Sequence, residues 1–298
     1  MNTPQSTFPV SRPARGRRWM MTGLAASAAL LMFTPPAHAG RGGSPQAIAS
    51  AIASGSPDAI KSELERAEYL MCAACVDSVL PLVDSGDAGV REVAGWWLAR
   101  RGSGRQVFRD MLTRLGQPDS VKARNAADVL GAFANPQAID ALGAGLSNPL
   151  FDAEARAAMA QALGAIRRPA AAMPLRTALT DSEATVRAAA LSAIRKVDGF
   201  RDGSVAVPLL TDASEGVRVQ AIFTVAELRT SAAAPGLIQI LQSDPSPSVR
   251  KRAAWALGEI RAPASVAGPA LNQAAQSDAS PLVRALASAA VSSLATGR

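Results

Sequence analysis

The feature that most constrains this chain is a unit of a little over thirty residues that returns along most of its length. Its mark is a small apolar residue followed by a basic one at the start of an Ala/Leu-rich pattern: Val90-Arg91, Val121-Lys122, Ala155-Arg156, Val186-Arg187, Val217-Arg218, Val249-Arg250 and Val283-Arg284. Successive basic positions lie 31, 34, 31, 31, 32 and 34 residues apart. A period of that length accommodates one helical hairpin, and a hairpin with a single apolar face cannot hide that face by itself. Each unit must therefore stack on its neighbours.

Within a unit the apolar positions recur at helical intervals. In the copy at Arg250, Val249, Ala253, Ala254, Leu257 and Ile260 fall on one stripe, and Leu237, Ile238 and Leu241 do the same in the helix before it. Small residues stand eight after the arginine at Ala99, Gly164, Ala226, Gly258 and Ser292, which permits close helix approach; Arg195 breaks that rule. Prolines at 136, 169, 235 and 263 sit near hairpin starts, where a missing N–H costs nothing. No stretch keeps a strand period for long, so the expected class is all-α with no sheet. The spacing predicts seven hairpins, roughly 70–101, 102–134, 135–167, 168–198, 199–229, 230–261 and 262–298. Helices at about 44–54 and 57–70, within a segment 40–69, are expected to cap the first open face.

The pattern resembles the HEAT repeat, and more closely its bacterial HEAT-like variant, also found in phycobilin lyases. An Asp six residues before an Arg carries the resemblance: Asp181 with Arg187, Asp212 with Arg218, Asp244 with Arg250 and Asp278 with Arg284. It covers about residues 70–298 and implies a right-handed α-solenoid in which turn aspartates and helix arginines form a structural ladder. Earlier copies depart from it. Asp119 is only three before Lys122, Asp152 four before Arg156, and Asp84 seven before Arg91, so the resemblance does not carry the ladder into the N-terminal half.

Ahead of the repeats, residues 1–39 have the three-part build of an export signal. Arg12, Arg15, Arg17 and Arg18 supply a basic start, Trp19 to Phe33 a short apolar run, and Ala37-His38-Ala39 a cleavage site with Gly40 as the new N-terminus. Arg17-Arg18 leaves a twin-arginine route open beside the general one, and an uncleaved anchor is the third alternative. Each predicts that the rest of the chain lies outside the cytoplasm, and the cleaved forms would have no membrane span. The whole chain has 31 Lys+Arg against 24 Asp+Glu, and losing four arginines leaves 27 against 24, or +3. That balance, with few aromatics, gives no electrostatic footprint for nucleic acid. The one histidine, His38, goes with the signal, which excludes His-based nucleophile pairs, His-ligated zinc and covalent c-type haem. No cofactor and no metal are expected.

Cys72-Ala73-Ala74-Cys75 is the one local motif with chemistry of its own: a local disulfide or buried thiol pair pinning the first hairpin, or a reactive redox pair. Among the scarce aromatics, Trp96, Phe223 and Trp255 all stand five residues after the repeat arginine, nearly opposite the core stripe. Arg100, Glu227, Arg252 and Glu259 are their neighbours on that face, whereas Trp97, one step round, is expected to pack inside. Arg100 and Arg101 equally suit a helix C-terminus as cations. By the resemblance, this second-helix face lines the concave side. The expected function is an exported scaffold or adaptor that binds another protein there rather than an enzyme. Thiol–disulfide exchange at Cys72 and Cys75, or a lyase-like chaperone loading a cofactor onto a client protein, are the alternatives.

Overall fold

A computed structural model describes residues 43–296, and the expected export signal with its cleavage site lies outside them. Two helices come first, α1 (Pro45–Ser54) and α2 (Pro57–Arg66). Each has proline in its first turn and a serine N-cap, Ser44 or Ser56, accepting a backbone N–H. The second helix stops at Arg66, a turn short of the sequence expectation.

Seven hairpins follow in chain order. They are α3 (Ala73–Val79, continued by a 3-10 segment Leu80–Asp84) with α4 (Ala88–Ala99), α5 (Gly104–Leu115) with α6 (Ser120–Phe133), and α7 (Ile139–Leu146) with α8 (Ala153–Ile166). Next are α9 (Ala172–Ala178) with α10 (Ala184–Ile194), and a 3-10 segment Gly203–Thr211 with α11 (Glu215–Glu227). The last two pair α12 (Ala234–Ser243) with α13 (Pro247–Glu259) and α14 (Ala264–Ser277) with α15 (Pro281–Thr296). In the fifth hairpin Pro208 removes an amide donor, and Val205 and Val207 are β-branched, so the first element stays 3-10. No strand occurs among the described residues.

The hairpins stack in sequence order as two layers. In one layer α4 packs on α6, α6 on α8, α8 on α10, α10 on α11, α11 on α13 and α13 on α15. In the other, α5 meets α7, α7 meets α9, segment 203–211 meets α12, and α12 meets α14. Their shared apolar faces make one continuous core from Ile48 to Ala290, rich in Ala, Leu and Val. This is the α-solenoid that the period requires. Most hairpins close on a left-handed residue: Ala134, Arg167, Arg229 and Arg261 have φ between 49° and 62°, and Gly199 has φ 76°. After α6, α8, α11 and α13 that conformation ends the second helix, and at Gly199 it turns the chain into the next unit.

Glycine lets the second helices of neighbouring hairpins approach closely. A Cβ on Gly164 would lie 2.8 Å from Ala193 Cα, and one on Gly131 would lie 2.9 Å from Ala162 Cα. Gly131 also corrects the register of the second unit. Ala123, fully buried and four residues after the N-cap Asp119, occupies the place that Arg156 holds four after Asp152, so Gly131 stands eight after it. Val121 is 55% exposed and Lys122 pairs with Asp119, which removes Val121-Lys122 from the core stripe.

Candidate functional site

Charged side chains first have to be sorted into those that hold the stack and those left for a ligand. Four repeat arginines reach into the following hairpin's turn: Arg156 to Asp181, Arg187 to Asp212, Arg218 to Asp244 and Arg250 to Asp278, each through two bonds of 2.7–3.1 Å. Each aspartate also accepts the amide two residues on, at Glu183, Ser214, Ser246 or Ser280. Within its own unit an arginine binds backbone carbonyls five and six residues back and no carboxylate, as Arg187 does at Ser182 and Asp181 and Arg284 at Ala279 and Asp278. Arg187 holds the Asp212 carboxyl below its ordinary range, against the opposing effect of burial, and Arg250 does the same to Asp278. The ladder's work is structural, since its groups are consumed by one another.

The early departures in spacing at Asp119 and Asp152 have a cause, while Asp84 is taken by Arg114 of the next hairpin. Asp87, Asp119 and Asp152 are helix N-caps, accepting from Val90, Lys122 and Ala155, and an N-cap stands closer to its helix than a ladder aspartate does. Arg91 is the first unit's counterpart, but its carboxylate is Asp128, on helix α6 instead of in a turn, at 2.6 and 2.8 Å. Burial pushes the Asp128 carboxyl up, opposed by Arg91. Asp128 was not legible as a site residue; an acid inside the run Ala126-Ala127-Asp128-Val129-Leu130 was the available signal.

Positions five after the repeat arginine all lie on one face of the second helices, and the structure brings two sets of them into contact. In α4, the Arg100 guanidinium sits 4.3 Å over the half-buried Trp96 ring and donates to the Trp96 carbonyl, with Glu68 at 3.6 Å. Further along, Phe223 and Trp255 meet edge to face at 5.7 Å, and Arg252 lies 5.8 Å over Phe223. Glu259 stays exposed beside Trp255 at the rim of a small cleft. Glu227 is not free, for Arg195 binds it at 3.1 Å. Arg195 also reaches Gln220 and Thr224, so it bridges α10 to α11 where other units have a small residue.

Between these two sets lies a depression of about 350 Å³ lined by Glu92 of α4, Asp128 of α6, Gln161 of α8, Ser192 of α10 and Lys196 just beyond it. Four successive second helices converge on it, so this face is concave there. Its floor is Gly131, Ala132, Ala162 and Ala165, small enough to let a ligand near the helix backbones. Burial raises the Glu92 carboxyl, the Asp128 charge raises it further, and Lys196 opposes both. A second cleft of about 590 Å³, bounded by Glu65, Glu92 and Trp96, shares Glu92 with the first and extends the same face toward α2. Its lining mixes charges of both signs, Lys61 with Glu65, Glu68 and Glu92, around the one aromatic ring of Trp96.

Trp97 and Arg101 belong to the core. The Trp97 Nε1 donates to the Ala67 carbonyl at 3.1 Å, and Arg101 stacks 3.5 Å over the same ring. Cys72 and Cys75 are joined in a disulfide, with Cys75 buried and the Cys72 sulfur accepting the Cys75 amide at the start of α3. Among the described residues no cluster of His, Cys, Asp and Glu could hold a metal, and no helix is long and apolar enough to cross a membrane.

Two solved structures with TM-scores above 0.5 agree with the hairpin stack. The Escherichia coli protein YibA aligns over 80% of this chain and 87% of its own, with 18% identity and a TM-score of 0.53. Kap121p bound to RanGTP aligns over 85% of this chain and 37% of its own, with 14% identity and a TM-score of 0.52. The CpcE–CpcF complex of phycocyanin lyase from Nostoc aligns over 74% of this chain and 94% of its own, with 21% identity and a TM-score of 0.41. At such identities the likeness concerns the fold alone. No curated protein sequence matches the chain. HEAT repeats, however, match at residues 108–195, 150–215 and 203–292, which together run through most of the hairpins built above; with its period, its stacked layers and its Arg–Asp ladder, the chain belongs to the HEAT-repeat family.

Proposed function

We infer that this protein is an exported scaffold or adaptor whose concave second-helix face holds an extended segment of another protein. The observation that carries the reading is the division of labour among its side chains. The repeat arginines and turn aspartates are spent on each other, while Trp96, Arg100, Arg252 and Trp255 cluster on the opposite face around clefts floored by glycine and alanine. Exposed edges of Trp and Arg are what binding hot spots are enriched in. Export rests on the basic, apolar and small-residue segments of 1–39; N-terminal sequencing of the protein purified from its host should begin at Gly40.

The face is tested by photocrosslinking in intact cells. A photoreactive residue replacing Gln161, on the inner face, should give one discrete adduct, and the same residue at Met173, 71% exposed in the other layer, should give none. Substituting Trp96, Arg252 and Trp255 together with Ala should weaken that adduct about tenfold or more with helical content kept. Equal adducts from both positions, or an adduct indifferent to the triple substitution, would remove the concave face from the account.

A further inference from the structure

One cavity lies off the second-helix face and is used by nothing described so far. It occupies about 560 Å³ where the end of α4, the start of α5 and the connection after α6 meet, within the range of small-molecule sites. Its apolar wall is Phe108 and Phe133, with ring centroids 5.8 Å apart and planes inclined by 39°. Its polar wall is Arg105, Arg109, Asn135 and Gln137.

The charge on this wall is uncompensated. Arg105 makes no ion pair among the described residues, and Arg109 is engaged only by the neutral Gln106 amide at 2.7 Å. No carboxylate lines the cavity; Asp110, on the same helix, is bonded to Gln106 at 2.8 Å. Ser103, the N-cap of α5, makes no side-chain capping bond, and although the Arg101 and Ser103 carbonyls take the Gly104 and Gln106 amides, the positive end of the helix dipole lies beside the cavity. Asn135 uses its carbonyl oxygen to cap the Gln137 amide, and its amide hydrogens remain as donors. Gly104 is required where it stands, since a Cβ there would lie 3.0 Å from the Leu98 and Ala99 carbonyl oxygens. Donors and two cations thus face a tilted aromatic pair across a space with no acid in it.

We propose that this cavity binds an aromatic carboxylate: the flat ring against Phe108 and Phe133, the carboxylate between Arg105 and Arg109. Guanidinium is the group whose planar fork matches a carboxylate, and the tilted phenyl pair offers a ring the edge and face contacts that aromatic groups prefer. The same chemistry has two sources, a small aromatic acid or the C-terminal aromatic residue of a peptide.

Isothermal titration of the protein with 2-naphthoate, with the neutral 2-naphthalenemethanol, and with a Gly-Gly-Phe peptide as free acid and as C-terminal amide tests this. Saturable binding of a free acid is expected, with its neutral counterpart weaker by about tenfold or more. The tighter of the two acids identifies the source. Arg105→Gln with Arg109→Gln, both exposed and outside the core, should weaken acid binding at least about tenfold, while the triple Ala variant of Trp96, Arg252 and Trp255 should bind as wild type does. The proposal is overturned by no saturable binding of either acid up to about 10 mM, by equal binding of acids and neutral analogues, or by a double Gln variant that binds the acid as before.

Discussion

Trp97→Ala is expected to remove about 3–5 kcal/mol of stability, and to do so by releasing the two N-terminal helices while the later hairpins stay folded. The indole is fully buried between α4 and the turn that ends α2, and its Nε1 donates to the Ala67 carbonyl at 3.1 Å. Arg101 covers the ring at 3.5 Å and donates to the carbonyls of Ala67, Glu68 and Leu70 at 3.0–3.2 Å. A helix end leaves such carbonyls short of partners, and beside the Leu70 amide on Ala67 it is one guanidinium and one indole that satisfy the turn after α2. Burial lowers the Arg101 pKa, and the neighbouring Arg100 charge lowers it further, a sign that these donors have been taken from water. Truncating the indole removes the apolar volume, uncovers Arg101 and takes one donor from the Ala67 carbonyl in one step.

The loss should stay local because each hairpin touches only its neighbours. Hydrogen exchange would then show faster exchange at buried α1 and α2 positions such as Ile48, Ile60 and Leu64, with α8 to α13 protected as before. Trp97→Phe keeps most of the packing and loses one bond, which should cost about 1–2 kcal/mol. Faster exchange spread evenly over all the hairpins would mean that the stack unfolds as one cooperative body, and the local argument would fail.

What the sequence made legible was whatever follows from period. The stacked hairpins, the absence of strands among the described residues and the buried Trp97 are all consequences of counting residues along helices that must stack. What it hid depends on contacts between units. The six-residue spacing of Asp212 and Arg218 draws the eye to a pair within one repeat, yet Asp212 binds the Arg187 of the unit before, and Arg218 takes only its backbone carbonyl. Arg195 reads as a fault in a small-residue rule until Gln220, Thr224 and Glu227 are seen around it. The cavity beneath Arg105 and Arg109 has no sequence signature at all, because its aromatic wall joins Phe108 of one helix to Phe133 of another.

The direction of the ladder makes one more large effect calculable. Asp212→Ala should destabilise the interface between the fourth and fifth hairpins by about 3 kcal/mol at neutral pH. Arg187 and Asp212 keep only 15% and 7% of their side-chain surfaces, and cutting the carboxylate strands a guanidinium that is mostly out of water. Its bonds to the Asp181 and Ser182 carbonyls survive, which places the expectation at the low end for a broken buried pair. A double-mutant cycle with Arg187→Ala should return a coupling of about 1–3 kcal/mol, because removing both partners leaves no stranded charge. The pH dependence has a definite sign. Arg187 holds the Asp212 carboxyl below its unfolded value, so the rung's stability is full above about pH 4 and drains away as pH falls through the folded value. Asp128 runs the other way, since burial raises its carboxyl and acid relieves a buried charge. Urea unfolding at pH 7 and pH 3 should therefore show the gap between wild type and Asp212→Ala narrowing in acid; a gap that stays constant, or a cycle with no coupling, would mean that the Arg–Asp rungs do not hold the hairpins together.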